Sequence, residues 1–358
     1  KILLNSKALD LSITFSYKDF MVRLGNDNSQ IAHVGGVSVY TANLAEGLSK
    51  VQNLEMVYFY SSLRKTYNGN LKNVKSFRIP PSILEKLFNR WRKVGIEKFI
   101  GTVDIFHSSD WTQAPTKAKK VTTYHDLVPL IHPEWSHPKI VEVNKRRLKL
   151  VEQEVDMVIC VSESTRNDLL KISNIPEKRT VVIYEGVEKQ FKPQNSEDLE
   201  TFRKEMNLPD EFVLAIGGVG RRRNLKRVKE ASKKYNLIIA GVDISWISYE
   251  QLPLLYSSAK VLLYPSFYEG FGLPIVEAMA CGVPVITSSV SSMPEVGGDA
   301  PEYVNPESVI DIENKLKLVW NDQKKRESMI KEGFLQAKKF TWEKSTEKTV
   351  EVYWSLVE

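Results

Sequence analysis

The chain has 358 residues, of which 42% are hydrophobic and 26% are charged, and its formal net charge is +6. This length exceeds the usual size of one hydrophobic core, so two domains are expected. No apolar run approaches the roughly 20 residues of a membrane-spanning helix, and residues 1–10 read as a first strand rather than a signal peptide. The composition therefore predicts a globular cytoplasmic protein and excludes a membrane-spanning one.

The positive charge lies in the first half of the chain. Residues 1–187 contain 27 Lys and Arg against 19 Asp and Glu, whereas residues 188–358 contain 23 against 25. A basic half attracts an anionic acceptor, an acidic membrane surface or nucleic acid, and charge alone does not choose among them. The sequence has no zinc-finger spacing, aromatic RNA-binding motif or basic heptad helix, so we expect no nucleic-acid partner.

The first predicted elements are two strands with a helix between them. Residues 1–4 and 56–60 are short apolar runs typical of strands. Between them Gly35 and Gly36 form a glycine turn at the start of a helix. The apolar residues of that helix recur at helical spacing: Val37, Tyr40, Leu44 and Leu48.

Residues 84–100 alternate apolar and basic side chains and predict a basic amphipathic helix. Such a helix can lie on an anionic membrane surface. The alternative, which the pattern favours, is a helix packed on its own sheet with its basic side in water.

Further strands are predicted at residues 105–107, 121–124, 155–161 and 180–184. His125 and Asp126 directly follow the second of these, and the carboxyl end of a parallel strand is where open α/β sheets place ligand groups. Ser162 and Ser164 are candidate caps of the helix that follows residue 161. The polar residues 185–200 predict a linker into the second domain.

Two patterns argue against a metal or disulfide site. The histidines and carboxylates show no metal-ligand spacing and the chain has no D-x-D motif. Cys160 lies in an apolar strand and Cys281 at a helix end, so both are predicted to be small buried apolar side chains.

The second domain begins with an apolar strand that ends in glycines. Arg221, Arg222 and Arg223 follow it, at the start of a helix. Arginine suits phosphate because its planar guanidinium forms paired, charge-assisted hydrogen bonds. These arginines are candidates for a phosphate contact at the ligand-bearing edge of the sheet; the alternative, which the residues alone favour, is a basic turn in water. The next strand is predicted at residues 237–240.

Residues 261–300 carry the densest pattern in the chain. Residues 261–264 predict a buried strand, a loop containing Gly270 and Gly272 follows, and Pro274 suits the first turn of a helix that ends near residue 281. Glu269 then precedes this helix and Glu277 lies on it. The free N–H groups between these carboxylates predict an anion site, and carboxylates on either side of a diphosphate accept hydrogen bonds from two sugars. This is the pattern of a nucleotide-sugar site; the alternative is that Glu269 is a turn residue and Glu277 an exposed residue on an ordinary amphipathic helix.

Three more helices are predicted to the end of the chain. They lie near residues 308–320, 323–339 and 341–358, and the last carries Trp342, Val350, Tyr353 and Trp354.

The motif E-x7-E within PSFYEGFGLPIVEAMACGVPVI, followed by SSMPEVGGDA, resembles the signature of retaining glycosyltransferase family 4, of GT-B fold. YHDLVPL is similar to the family's HD segment, and Arg223-Asn224 stands where many members have Lys-Asn. Gly218 occupies a position at which many members carry an arginine. HDLVPLIHPEW and the RRRN block are similar to mannosyltransferase-like members.

The resemblance implies an α/β GT-B fold, in which two Rossmann-like domains face each other across a cleft. Residues 1–187 are then the acceptor-binding domain and residues 188–340 the nucleotide-sugar-binding domain, and the helix at 341–358 crosses back onto the first. The resemblance assigns catalytic roles to His125, Glu269 and Arg223. The donor-binding residues that it implies are Gly35, Gly36, Arg222, Arg223, Glu269, Gly270, Phe271, Gly272, Leu273 and Glu277.

The implied activity is transfer of a hexose from a nucleoside diphosphate sugar to a glycan or lipid-linked acceptor, with retention of configuration and no metal or other cofactor. GDP-mannose is the favoured donor and a UDP-hexose the second. The positive charge of the first domain predicts, in addition, contact with the inner face of the cell membrane. Two alternatives stay open: a catalytically silent sugar-nucleotide-binding subunit of a glycosyltransferase complex, and a GT-B nucleotide-sugar epimerase.

Overall fold

The structure, a computed structural model, describes residues 21–33, 35–218, 220–244 and 247–357. It contains a seven-stranded and a five-stranded sheet, and all paired strands in the described residues run parallel. Helices cover the sheets, as parallel sheets require. The predicted α/β class with two domains is therefore confirmed. The strand predicted for residues 1–4 lies outside the described residues.

The first sheet has the strand order β3-β2-β1-β4-β5-β6-β7. Its strands are β1 (Val22–Asp27), β2 (Leu54–Ser61), β3 (Val74–Phe77), β4 (Ile105–Ser108), β5 (Lys119–Tyr124), β6 (Met157–Cys160) and β7 (Thr180–Val182). The helices of this part are α1 (Gly36–Leu48), α2 (Pro81–Glu85), α3 (Glu97–Ile100), α4 (Val128–Ile131), α5 (Pro138–Glu154) and α6 (Glu163–Ile172).

The second sheet has the strand order β12-β11-β10-β8-β9. Its strands are β8 (Val213–Ile216), β9 (Leu237–Ala240), β10 (Val261–Tyr264), β11 (Val285–Ser288) and β12 (Glu302–Val304). The remaining helices are α7 (Ser196–Glu205), α8 (Leu225–Ala231), α9 (Leu252–Ser258), α10 (Leu273–Ala280), α11 (Met293–Gly297), α12 (Val309–Asn321), α13 (Gln323–Ala337) and α14 (Trp342–Val357). No described helix has both the length and the apolar character to span a bilayer.

The last helix packs on the first sheet rather than the second. Trp342, Val350 and Tyr353 of α14 are buried in one core with Leu24 of β1 and Leu44 of α1. Where the chain crosses between the sheets, the N–H of residue 187 donates to the carbonyl of residue 340 over 3.2 Å, so the outgoing and returning segments lie side by side. The domain limits at residues 187 and 340 stay a prediction.

The single amphipathic helix predicted for residues 84–100 is wrong. Helix α2 ends at Glu85, a π-helical segment runs over Lys86–Trp91, and Arg92 adopts the left-handed conformation at φ 51°. The chain resumes as α3 only at Glu97. Leu84 and Phe88 are buried in a core shared with β2 and β4, so packing on the sheet overrides the continuous helical pattern.

One smaller expectation also differs from the structure, and two elements were not predicted. The predicted linker 185–200 is too long, because α7 begins at Ser196, where Asn195 caps it. Strand β1 was missed because Arg23 and Gly25 interrupt its apolar run. Helix α5, which follows the HD segment, was missed as well because most of its residues are charged or polar.

Candidate functional site

The loop after β10 joins the carboxyl edges of the two sheets at Gly270. The Ser162 hydroxyl donates to the Gly270 carbonyl over 2.6 Å, and the Thr165 hydroxyl donates to it over 3.1 Å. A Cβ atom on Gly270 would lie 1.6 Å from the carbonyl oxygen of His125. Only glycine fits this approach, and it brings the E-x7-E loop against the HD segment.

Glu269 is a buried carboxylate with two partners. Its Oε1 atom accepts a hydrogen bond of 3.0 Å from the Tyr264 hydroxyl and pairs with the guanidinium of Arg223. The hydroxyls of Ser291 and Ser292 donate to its backbone carbonyl over 2.6 and 3.0 Å. Both the backbone and the side chain of Glu269 are therefore held in place.

The two candidate arginines have different partners. Arg223 packs over Gly217, whose φ of +129° lets the chain pass close beneath it, and lies 5.0 Å from the centroid of the Tyr264 ring. Arg222 reaches from the second sheet to the first, where its Nη1 donates to Asp126 Oδ2 over 2.9 Å. Arg223 is thus fixed beside Glu269, and Arg222 bridges the two domains.

Glu277 lies on α10 and is 6% exposed. The Tyr256 hydroxyl donates to its Oε2 over 2.6 Å. Burial raises the pKa of Glu277 to about 7, against the lowering effect of that hydrogen bond. Its carboxyl group therefore titrates near neutral pH.

Two helix N-termini approach each other in the site. Gly272, at φ +107°, precedes α10, and Gly36 begins α1. Within the described part of the chain, no side chain caps either helix start. A Cβ on Gly36 would lie 3.4 Å from Leu273, the first residue of α10. Two positive helix ends thus lie near each other, an arrangement suited to an anion.

His125 contacts a carboxylate that the sequence did not indicate. Its Nδ1 atom lies 3.0 Å from Oε1 of Glu185, which is 4% exposed. The Tyr40 ring meets the imidazole edge to face, at a centroid distance of 4.5 Å. Glu185 is the first residue of the predicted linker, and no local motif distinguishes it from the other carboxylates of that stretch.

A small cavity of about 20 Å³ lies beside His125 at the carboxyl ends of β1, β4 and β5. Asp27, Gln30 and Asp110 are among its lining residues. The Gln30 amide donates to Asp110 over 2.7 Å, and burial raises the pKa of Asp27. Sequence reasoning missed this polar group because β1, which places Asp27, was not predicted.

A buried hydrogen-bond chain joins the site to the last helix. His107 Nδ1 lies 2.6 Å from the Tyr353 hydroxyl of α14, and its Nε2 lies 2.9 Å from the Thr123 hydroxyl. The Thr123 hydroxyl lies 3.0 Å from that of Tyr40, which packs on His125. Burial lowers the pKa of His107 to about 3, so this imidazole is neutral.

Neither cysteine and no group of acidic or histidine side chains forms a metal site in the described residues. Cys160 and Cys281 are free and buried, and burial raises the pKa of each thiol to about 12. The same residues contain no set of three or more His, Cys, Asp or Glu side chains placed to hold an ion.

Two protein-family models match the chain. "Glycosyltransferase Family 4" matches residues 34–191 and "Glycosyl transferases group 1" matches residues 166–336. O-antigen chain mannosyltransferase B of Escherichia coli is 32% identical over 281 residues, which cover 70% of this chain and 74% of that protein.

Solved structures of other proteins show the same fold. Sucrose-phosphate synthase of Thermosynechococcus elongatus has a TM-score of 0.75 at 20% identity, over 94% of this chain and 99% of that one. HepE of Anabaena, solved in complex with UDP and glucose, has a TM-score of 0.67 at 15% identity, over 93% and 99%. These likenesses concern the arrangement of both domains, since they cover nearly the whole chain.

Proposed function

Because the chain belongs to glycosyltransferase family 4 and has the GT-B fold, we propose that it transfers a hexose from a nucleoside diphosphate sugar to a hydroxyl of a glycan or lipid-linked acceptor, with retention of configuration. The observation that carries this proposal is the approach of the loop that holds Glu269, paired with Arg223, to His125 of the other domain, with Glu277 on the helix that follows this loop. A donor between the sheets would meet cationic groups and carboxylates at once.

The diphosphate is assigned to the helix ends and the arginines. The backbone N–H groups of residues 270–273, the positive end of α10, Arg222 and Arg223 stabilise the negative charge that develops on the leaving group. Arg222 pairs with Asp126, and Arg223 pairs with Glu269. These ion pairs hold both guanidinium groups at the site before the donor arrives.

The sugars of the donor are assigned to the carboxylates. Glu269 accepts hydrogen bonds from hydroxyls of the transferred hexose, Glu277 accepts them from the ribose, and His125 contacts the hexose from the opposite domain. The pairing of His125 Nδ1 with Glu185 leaves its Nε2 atom for the sugar. Gly35 and Gly36, which have no side chains, allow the start of α1 to approach the phosphates closely.

The reaction needs no protein base in this proposal. The bond from the anomeric carbon to the phosphate oxygen breaks with its electron pair on the phosphate, and the acceptor oxygen bonds to the same side of that carbon. The acceptor proton moves to the departing phosphate oxygen. Glu269 is not assigned as a nucleophile, because a double displacement needs a second carboxylate at a defined separation and no residue is assigned to that role. We propose that neither a metal nor another cofactor takes part.

The acceptor hydroxyl is assigned to the cavity beside His125. Asp27 and Asp110 offer carboxylate acceptors and Gln30 an amide, which are the groups that bind sugar hydroxyls. The 32% identity with an O-antigen mannosyltransferase supports GDP-mannose as donor and a glycan as acceptor. A UDP-hexose is the second candidate donor. We place the reaction in the cytoplasm, at the inner face of the cell membrane.

The test has two steps. The melting temperature of the full chain is measured with GDP-, UDP-, dTDP- and ADP-sugars, because a ligand of the folded state raises it. The donor that raises it is then incubated with candidate glycans, with and without EDTA, and the product anomer is read by NMR. Transfer with retention that EDTA leaves unchanged is expected.

Two alanine variants check the assignment of the carboxylates. Glu277→Ala is expected to weaken donor binding and Glu269→Ala chiefly to lower turnover, each by about 1–3 kcal/mol. Unchanged affinity and turnover in both variants would contradict the site. Donor binding without transfer to any acceptor would indicate a silent subunit, and conversion of the donor to its sugar epimer would indicate an epimerase.

A further inference from the structure

Residues 81–93 present an exposed surface that the proposed reaction does not use. Trp91 is 60% exposed and Ile83 is 48% exposed, and the cations between and beside them, Lys86, Arg90 and Lys93, are exposed as well. Glu85 is the one acidic residue of this segment. It is buried and lies in ion pairs with Arg146 and, over 3.8 Å, with Arg90. All the exposed charge of the segment is therefore positive.

Leu63 is a further exposed apolar side chain, on the neighbouring strand connection. It is 57% exposed, follows the end of β2, and precedes Arg64 and Lys65, which are also exposed. The Ser61 hydroxyl donates to the carbonyl of Ile79 over 2.9 Å and so joins this connection to the start of α2. We call the set Leu63, Ile83, Lys86, Arg90, Trp91 and Lys93 the Trp91 surface.

The Trp91 surface lies at the same sheet edge as the cavity beside His125. Strands β2 and β3 run parallel to β1, so the segments that follow them emerge at the edge where Asp27 ends β1. Asn89, within the π-helical turn, donates to the Trp111 carbonyl over 3.2 Å and accepts from the Gln113 N–H over 2.8 Å. The segment therefore packs on the loop that carries Asp110 into the cavity.

Helix α5 adds cations beside this surface. The Arg146 side chain on α5 pairs with Glu85, and Arg92 donates to Glu154 at the end of α5 over 2.7 Å. Lys145 and Lys149, adjacent to Arg146 on the helix, are exposed. Exposed cations therefore continue from residues 81–93 onto α5, which also carries the exposed Glu142.

We propose that the Trp91 surface docks on an anionic lipid bilayer. An exposed tryptophan flanked in the chain by exposed cations suits the bilayer interface, where the indole ring lies at the headgroup level and Lys and Arg contact anionic headgroups. The combination supplies the two signals, apolar insertion and charge, that stable but reversible membrane binding needs. If the proposed function holds, docking brings the cavity close to the membrane, where a lipid-linked acceptor is anchored.

Sedimentation with vesicles tests this proposal. The full chain is mixed with vesicles of phosphatidylcholine alone or with added phosphatidylglycerol, at about 0.1 M and 0.5 M salt. The unaltered protein is expected to pellet with the anionic vesicles at low salt, at least tenfold more than with the neutral ones. The triple variant Trp91→Ser, Lys86→Glu, Lys93→Glu is expected to lose this binding at least tenfold.

The matched control changes the same kinds of residue on the second domain. Ile310 is 72% exposed on α12, and Lys324 and Lys331 are exposed on α13. The variant Ile310→Ser, Lys324→Glu, Lys331→Glu has the same change in net charge and is expected to bind vesicles as the unaltered protein does. Circular dichroism and donor-dependent melting verify that both variants fold.

Three outcomes would overturn the proposal. They are that the unaltered protein does not bind anionic vesicles, that it binds neutral vesicles equally well, or that the Trp91 triple variant binds anionic vesicles as the unaltered protein does. Concentration-dependent dimers that the triple variant abolishes, without vesicle binding, would instead assign the surface to a second copy of this chain. The vesicle assay needs neither donor nor acceptor, so it fails or succeeds independently of the proposed reaction.

Discussion

Single side chains in this site serve two interactions at once. Arg223 pairs with Glu269 and stacks near Tyr264, while Tyr264 itself donates to the same carboxylate. Removing one partner leaves a buried polar group unsatisfied, which costs more than the hydrogen bond contributes. Substitutions here are therefore expected to affect both stability and ligand binding, and controls that separate the two are essential.

Glu277 predicts a pH dependence of stability. In the folded state its pKa is about 7, against an ordinary value of 4.5. Between these values the folded protein binds more protons than the unfolded chain, so this residue's contribution to the free energy of unfolding falls as the pH rises from 4.5 to 7. The fall amounts to at most about 3 kcal/mol.

Urea denaturation of the unaltered protein and of Glu277→Gln over this pH range measures that contribution. The amide does not titrate, so the variant is expected to lack this part of the slope. Parallel pH profiles for the two proteins would show that Glu277 has an ordinary pKa.

Gly270→Ala is expected to lower donor affinity and turnover at least tenfold. The new methyl group would lie 1.6 Å from the His125 carbonyl oxygen, so the loop has to move away from the first domain. Calorimetric titration with the donor and a transfer assay give the two quantities. Gly220→Ala is the control, since a Cβ there meets no atom within 4 Å, and an equal loss in both variants would refute the close-approach explanation.

Among the elements, α14 links the end of the sequence to the site. It packs against α1 and β1, and Tyr353 begins the buried chain that runs through His107 and Thr123 to Tyr40. The π-helical turn at Lys86–Trp91 has a comparable role on the other side, because it supports the loop that lines the cavity. Elements distant in sequence thus position the side chains of the first domain.

Tyr353→Phe is expected to lower the free energy of unfolding by about 1–3 kcal/mol, because it leaves Nδ1 of the buried His107 without the Tyr353 hydroxyl as a hydrogen-bond partner. Chemical denaturation measures this change. Ser355→Ala, on the exposed side of the same helix, is expected to change the stability by less than about 0.5 kcal/mol. A Tyr353→Phe variant as stable as the unaltered protein would show that the hydrogen bond contributes nothing net.

At the scale of the molecule, the two domains are held together at the site by polar contacts. Arg222 bridges to Asp126, and the carboxylate of Glu295 on α11 accepts from the N–H groups of Glu163 and Ser164 over 2.7 and 3.2 Å. A carboxylate at the start of α6 is favoured by the helix dipole. Polar contacts of this kind exchange with water readily, so closure of the cleft is expected to depend on them.

Glu295→Ala is expected to open the cleft, because the second domain loses its hydrogen bonds to the N–H groups at the start of α6. A cap contributes about 1 kcal/mol, equivalent to about a fivefold change in the closed population. Small-angle scattering of the unliganded protein is expected to show a larger radius of gyration, and donor affinity to weaken by a similar factor. Glu307→Ala, exposed on the second domain, is the control; identical scattering of both variants would refute a closing role for Glu295.

The sequence alone determined the α/β class, the parallel strands and the E-x7-E loop, because each rests on residues close together in the chain. A buried parallel strand is a continuous apolar run, as Val261–Tyr264 shows, and glycines with a following proline mark where the next helix begins. The sequence also identified the family through one continuous stretch.

Only the tertiary structure decided which distant residues meet. Glu185 reaches His125, Asp126 reaches Arg222, and Asp27 lines a cavity with His125, although no local pattern distinguishes these carboxylates from those exposed to solvent. Packing likewise broke the helix predicted for residues 84–100, because burying Leu84 and Phe88 against the sheet outweighs the continuity of an amphipathic pattern. Periodicity reports local geometry, whereas contacts between domains arise only when both sheets have formed.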